Sequence, residues 1–113
     1  MFVLGSSHRF FLFGQAVDMR KGFDGLCGLV RNSLERDPLS GEVYIFLNRS
    51  RTLVKLLHWE AGGLVLYYKR LEKGNFQRPA QSGQGGTISW AQLVLMIEGI
   101  KVLDSRQLPR YAR

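Results

Sequence analysis

Residues 67–78 hold the densest set of groups able to do chemistry: Tyr67 and Tyr68, then Lys69, Arg70, Lys73 and Arg78. Aromatic rings interleaved with cations suit single strands or loops of nucleic acid, where bases stack on rings while the cations track phosphates. The plainer reading packs one tyrosine in the core and leaves the charges on a solvated face. Adjacent positions of a strand point to opposite sides of its sheet, so Tyr67 and Tyr68 cannot both face a ligand. A second cationic patch is Asn48-Arg49-Ser50-Arg51, with Lys55 beyond it. Two arginines on a tight hairpin tip can enter a groove; they serve equally to keep a hairpin soluble and its edge unpaired. A third patch is Asp18-Met19-Arg20-Lys21-Gly22, at an expected helix start. Free backbone N–H groups there favour an anion, whereas cations oppose the helix dipole. The alternative is that Asp18 and Asp24 neutralise Arg20 and Lys21 on the surface.

Groups for catalysis are sparse. The 9 Asp and Glu are scattered, most of them beside a cation, and do not suggest the three metal-binding carboxylates of a strand-transfer enzyme. His8 and His58 lie far apart in sequence, and His58, between Leu57 and Trp59, reads as a structural histidine. Cys27 is the only cysteine, which excludes a disulfide framework and a four-cysteine zinc site within one chain. One enzyme class has nominal groups, a compact basic ribonuclease using Tyr67, Arg70 and His58, and it ranks last. The expectation is a protein that is not an enzyme, with no cofactor and no metal.

Composition agrees with a polyanion as partner. The chain has 113 residues and 16 Lys and Arg against 9 acids, a formal net charge of +7. Arginine outnumbers lysine 11 to 5, and the planar guanidinium fork grips phosphate in a way an ammonium does not. The apolar start ends at Ser6, too short for a signal peptide, and no later run approaches the roughly 18 residues needed to span a bilayer. A cytoplasmic protein without a membrane partner is expected.

The elements that position these groups follow from periodicity. Residues 9–14 read as a short buried strand. Asp18 is placed to cap a helix over residues 19–34, with Phe23, Leu26, Cys27, Val30 and Leu34 as its core stripe. The Asp37-Pro38-Leu39-Ser40-Gly41 turn leads into strands over residues 43–47, 52–59 and 64–69, an antiparallel meander joined by two polar turns. The glycine-rich residues 79–87 read as a linker. Ser89 and Gln92 then stand at capping-box spacing, flanked by Ile88 and Leu93 as a hydrophobic staple, before a second helix that Gly99 ends. The expected fold is one α+β domain over residues 1–103: an antiparallel sheet of four or five strands packed on the first helix, with the second closing another edge or face. Residues 104–113 form a basic tail expected to fray.

Three motifs carry a family resemblance: Asp18-Met19-Arg20-Lys21-Gly22-Phe23-Asp24-Gly25, Asp37-Pro38-Leu39-Ser40-Gly41, and Tyr68-Lys69-Arg70-Leu71-Glu72-Lys73-Gly74-Asn75-Phe76. In order and spacing they resemble the TnpB-type accessory proteins of a bacterial insertion-sequence family, each encoded beside a separate transposase with an acidic catalytic triad. The resemblance implies a helper of transposition and supplies no catalytic residue. Combined with the basic surface, it gives the expectation of DNA binding at transposon ends through Arg20, Lys21, Arg49, Arg51, Lys55, Tyr67, Tyr68, Lys69, Arg70, Lys73 and Arg78. The alternative is an adaptor that docks on the transposase. Oligomeric state is left open.

Overall fold

The computed structural model describes residues 4–5, 7–79 and 86–98. In chain order these form β1 (Phe10–Leu12), α1 (Phe23–Asn32), β2 (Val43–Leu47), β3 (Leu53–Glu60), β4 (Gly63–Arg70), β5 (Thr87–Ile88) and α2 (Trp90–Ile97), an α+β arrangement. The strands make one sheet in the order β4-β3-β2-β1-β5.

The expected meander is present. β2 pairs with β3 from Val43↔His58 to Leu47↔Val54, and β3 with β4 from Leu53↔Arg70 to Glu60↔Gly63, both antiparallel. The β3–β4 turn has Ala61 and Gly62 at φ 50° and 83°, the two-residue geometry whose twist matches that of the flanking strands. The sheet departs from the all-antiparallel expectation at β1, which pairs with β2 in parallel. A parallel neighbour requires a crossover, and α1 with its flanking loops supplies it. β5, at the end of the stretch expected to be a linker, pairs antiparallel with β1 through Ile88↔Phe10. Residues 80–85 of that linker, Gly99 and the 104–113 tail lie outside the described residues.

Both sheet faces are covered, which explains why all five residues of β2 are buried. On one face Phe11, Phe13, Tyr44, Phe46 and Leu57 meet Leu26, Cys27 and Val30 of α1. On the other, Phe10, Leu12, Val43, Ile45, Leu47, Val54 and Leu56 meet Leu93 and Met96 of α2 and Phe76 from the segment after β4. α2 begins as expected: Ser89 Oγ accepts from Gln92 N at 3.0 Å, and Gln92 Oε1 accepts from Ser89 N at 2.8 Å. Ile88 and Leu93 join the same core.

α1 differs from its expected limits. It starts at Phe23, with Gly22 as N-cap and no side-chain cap. Asp18 does not cap it; its carboxylate accepts from Arg20 N at 2.9 Å and from the Arg20 guanidinium at 2.7 Å. The cause lies in β3. Lys55 Nζ donates to Met19 O at 2.7 Å and Lys21 O at 2.8 Å, carbonyls that a helix begun at residue 19 would give to its own N–H groups one turn on. Phe23, expected on the core stripe, is exposed, while Leu26, Cys27 and Val30 are buried.

Lys55 is 5% exposed, and a buried ammonium is tolerated only when its donors are satisfied. Lys55→Met keeps the apolar stem and removes those donors. The expected outcome is a loss of about 1.5 to 3 kcal/mol in urea unfolding. An unchanged midpoint would refute the tether.

Candidate nucleic-acid interface

The residues singled out from the sequence divide by what their side chains touch. Five turn inward. Lys55 holds the 18–22 loop as above. Lys69 Nζ donates to Ile97 O at 2.8 Å in the last turn of α2, where exposed carbonyls attract a cation. The Arg78 guanidinium donates to Phe13 O at 3.1 Å, and burial, with the Arg51 charge nearby, draws its pKa down. Arg51 sits at φ 59°, donates to Phe76 O at 3.3 Å and accepts from Phe76 N at 2.6 Å through its own carbonyl. Tyr67 lies on the α2 face, half-buried in an apolar groove of about 380 Å³ with Leu4, Leu56, Trp90 and Leu93.

Arg20, Lys21, Arg49, Tyr68, Arg70 and Lys73 are exposed. They come from three segments that the fold gathers at one end of the sheet. The loop after β1 follows β2 outward, with Val17 N donating to Leu47 O at 2.9 Å, before Lys55 fixes it across the α1 face. The β2–β3 tip is closed by Asn48 Oδ1, which accepts from Thr52 N and Leu53 N, each at 2.9 Å. The segment after β4 is stitched to that tip: Leu71 N donates to Thr52 O at 2.9 Å and Asn75 Nδ2 to Ser50 O at 2.6 Å. Lys55 links the first of these segments to β4, from which the third leaves, since its Nζ also lies 4.5 Å from the Tyr68 ring centroid.

The charges at this end are only partly neutralised. Arg20 pairs with Asp18 at 2.7 Å and Arg70 with Glu72 at 3.3 Å, both exposed. Hydrogen bonds from Arg20 hold the Asp18 carboxyl at a pKa of about 2, so it stays ionised through the physiological range. The ion pairs among the described residues otherwise use Arg9 and Arg36; Lys21, Arg49 and Lys73 take part in none of them.

The nominal ribonuclease groups do not converge. Along β3 the partner of Arg70 is Leu53, five residues from His58, roughly 17 Å of extended strand, and Tyr67 and Arg70 lie on opposite faces. His58 is buried with its ring edge-on to His8 at 5.0 Å, a pairing that their wide sequence separation concealed.

A second network went unread in the sequence. Arg36 grips Glu42 with contacts of 3.0 to 3.2 Å and lies 4.1 Å from the Phe11 ring centroid; Tyr44 Oη donates to Glu42 Oε1 at 2.9 Å. The signal was present, since Arg36 and Glu42 bracket the Asp37–Gly41 turn. Burial raises the Glu42 pKa, but the bonds from Arg36 and Tyr44 outweigh it and hold the carboxyl below its usual value. A depressed folded-state pKa stabilises the fold above the unfolded value near 4.3 and ceases to do so as pH falls through the folded one. Glu42→Gln should therefore cost about 1 to 2 kcal/mol at pH 7, and its deficit in melting temperature against the unmodified protein should be smaller at pH 3. A gap of constant size at both pH values would count against this account.

Among the described residues no helix is long and apolar enough to cross a membrane. No solved structure matches the chain. It is 35% identical over 96 residues to the uncharacterized protein y4hO of Sinorhizobium fredii, covering 85% of this chain and 84% of that one. A second protein of the same organism, the uncharacterized y4jC, is 30% identical over 86 residues, covering 76% and 74%. The family model described as IS66 Orf2 like protein matches residues 8–107, a span that includes the sheet, both helices and all three sequence motifs. With that match across nearly the whole chain, the protein belongs to the IS66 Orf2-like family, whose role is accessory to insertion-sequence transposition.

Proposed function

We propose that the protein assists transposition by binding DNA of its element through the cations gathered at one end of the sheet, without a catalytic step of its own. One observation carries this reading: three segments distant in sequence are tied together there with Arg20, Lys21, Arg49, Arg70 and Lys73 exposed. The bonds of Lys69, Arg78 and Arg51 to backbone carbonyls support it, because they account for the cations that point elsewhere. Exposed ion pairs such as those of Arg20 and Arg70 are worth little in water, so a phosphate can displace Asp18 or Glu72 from its partner. Contacts of this kind fix position and affinity and read little sequence. Such a helper acts in the bacterial cytoplasm, on transposon-end DNA beside the transposase.

Fluorescence anisotropy with a labelled transposon-end oligonucleotide tests the reading. Neutralising about five phosphates predicts a slope of log affinity against log salt of roughly −4 to −5. Arg49→Ala and Lys73→Ala should each reduce its magnitude by roughly 0.9. Arg31→Ala, in the exposed last turn of α1, should leave it unchanged. A flat salt response overturns the proposal, and binding to purified transposase without affinity for DNA replaces it with an adaptor role.

A further inference from the structure

We propose that Tyr68 is a stacking platform for an unpaired base, so that the favoured ligand of this surface is DNA with single-stranded or locally unpaired nucleotides. The inference rests on the DNA-binding reading and narrows it. Tyr68 is 53% exposed, the highest value among the large apolar or aromatic side chains exposed in the described residues. It stands on β4, an edge strand of the described sheet. Its neighbour Tyr67 takes the opposite face and is absorbed in the α2 core, so the outward ring is Tyr68 alone.

The ring is supported from beneath. Lys55 Nζ lies 4.5 Å from its centroid, and that ammonium is itself fixed by the carbonyls of Met19 and Lys21. A ring resting on an immobilised cation has one face occupied, and the exposed surface belongs to the other face and the edge. Arg70, two residues along the same face of β4, and Lys73 in the following segment are exposed beside it. A flat aromatic surface flanked by cations fits a nucleotide whose base lies on the ring while its phosphates meet the charges. In a duplex each base is already stacked on both sides, and a side chain reaches its face only where the base is unpaired or turned out.

A purely structural role makes a different prediction. If Tyr68 only shields the Lys55 ammonium from water, any apolar side chain of similar size will serve, and Tyr68→Leu supplies one that cannot stack. Affinities of the full chain for a labelled single strand and for the matching duplex, at one salt concentration, separate the cases. Unsubstituted protein and Tyr68→Phe should bind the single strand more tightly than the duplex. Tyr68→Leu should lose about 5- to 150-fold on the single strand and change less than about twofold on the duplex. On a strand only as long as the contact site, a 2-aminopurine moved along it should show a quenched position with the unsubstituted protein and with Tyr68→Phe. That readout does not need the leucine variant to be stable. Equal losses on both ligands, an unchanged single-strand affinity in Tyr68→Leu, or absence of a quenched position overturns stacking while leaving phosphate binding intact. No affinity of the unsubstituted protein for either DNA overturns both proposals.

Discussion

The arrangement of the basic end depends on a single buried ammonium. Lys55 projects from a central strand between apolar neighbours and has no carboxylate partner among the described residues. Removing a charged amine from water is unfavourable by several kcal/mol unless its protons find strong acceptors. Two carbonyls at 2.7 and 2.8 Å and a tyrosine ring at 4.5 Å provide them. The same contacts decide where α1 begins, where the 18–22 loop lies and how Tyr68 is held. Two of the three sequence motifs, residues 18–25 and 68–76, are thus joined through one side chain that belongs to neither.

Lys55 is one instance of a wider pattern. Lys69, Arg51 and Arg78 each donate to a backbone carbonyl 25 to 65 residues away in sequence. Long cationic stems can cover apolar surface while the charged end reaches a distant acceptor, and a hydrogen bond from a charged donor is stronger than one between neutral groups. In a small domain with few acids, carbonyls are the acceptors most often within reach. Arginine richness therefore has a structural share, which must be subtracted before the surface is counted.

Much of the fold was legible because local rules and tertiary demands agreed. Runs of β-branched, aromatic and aliphatic residues between polar turns gave β2, β3 and β4 to within a residue at each end, and the Ser89–Gln92 spacing gave the start of α2. Misreadings arose where a distant partner overrode a local preference. Asp18 followed by an apolar stripe is a sound helix start, but Lys55 takes the carbonyls that such a start requires. A lysine flanked by Val54 and Leu56 on a buried strand was the available signal. Which tyrosine faces out could not be read from alternation, which fixes only that the two differ; the position of α2 decides it by covering Tyr67.

The direction of β1 was also illegible, because three residues of aromatic strand carry no mark of parallel or antiparallel pairing, and this direction determines whether the surface exists. With β1 and β2 parallel, the loop leaving β1 and the hairpin leaving β2 emerge at the same end, bringing Arg20 and Lys21 to the side of Arg49. The antiparallel β3 and β4 then return Arg70 to that end, paired opposite Leu53. An antiparallel β1 would have sent the first loop to the far end, where Arg36, Glu42 and Tyr44 close the crossover. Open sheets with parallel strands place ligands beyond the carboxyl ends of those strands, because loops that leave in a common direction can converge. A single parallel pair within a mostly antiparallel sheet suffices here, and the crossover helix that enforces it is the element through which this sequence turns scattered cations into one surface.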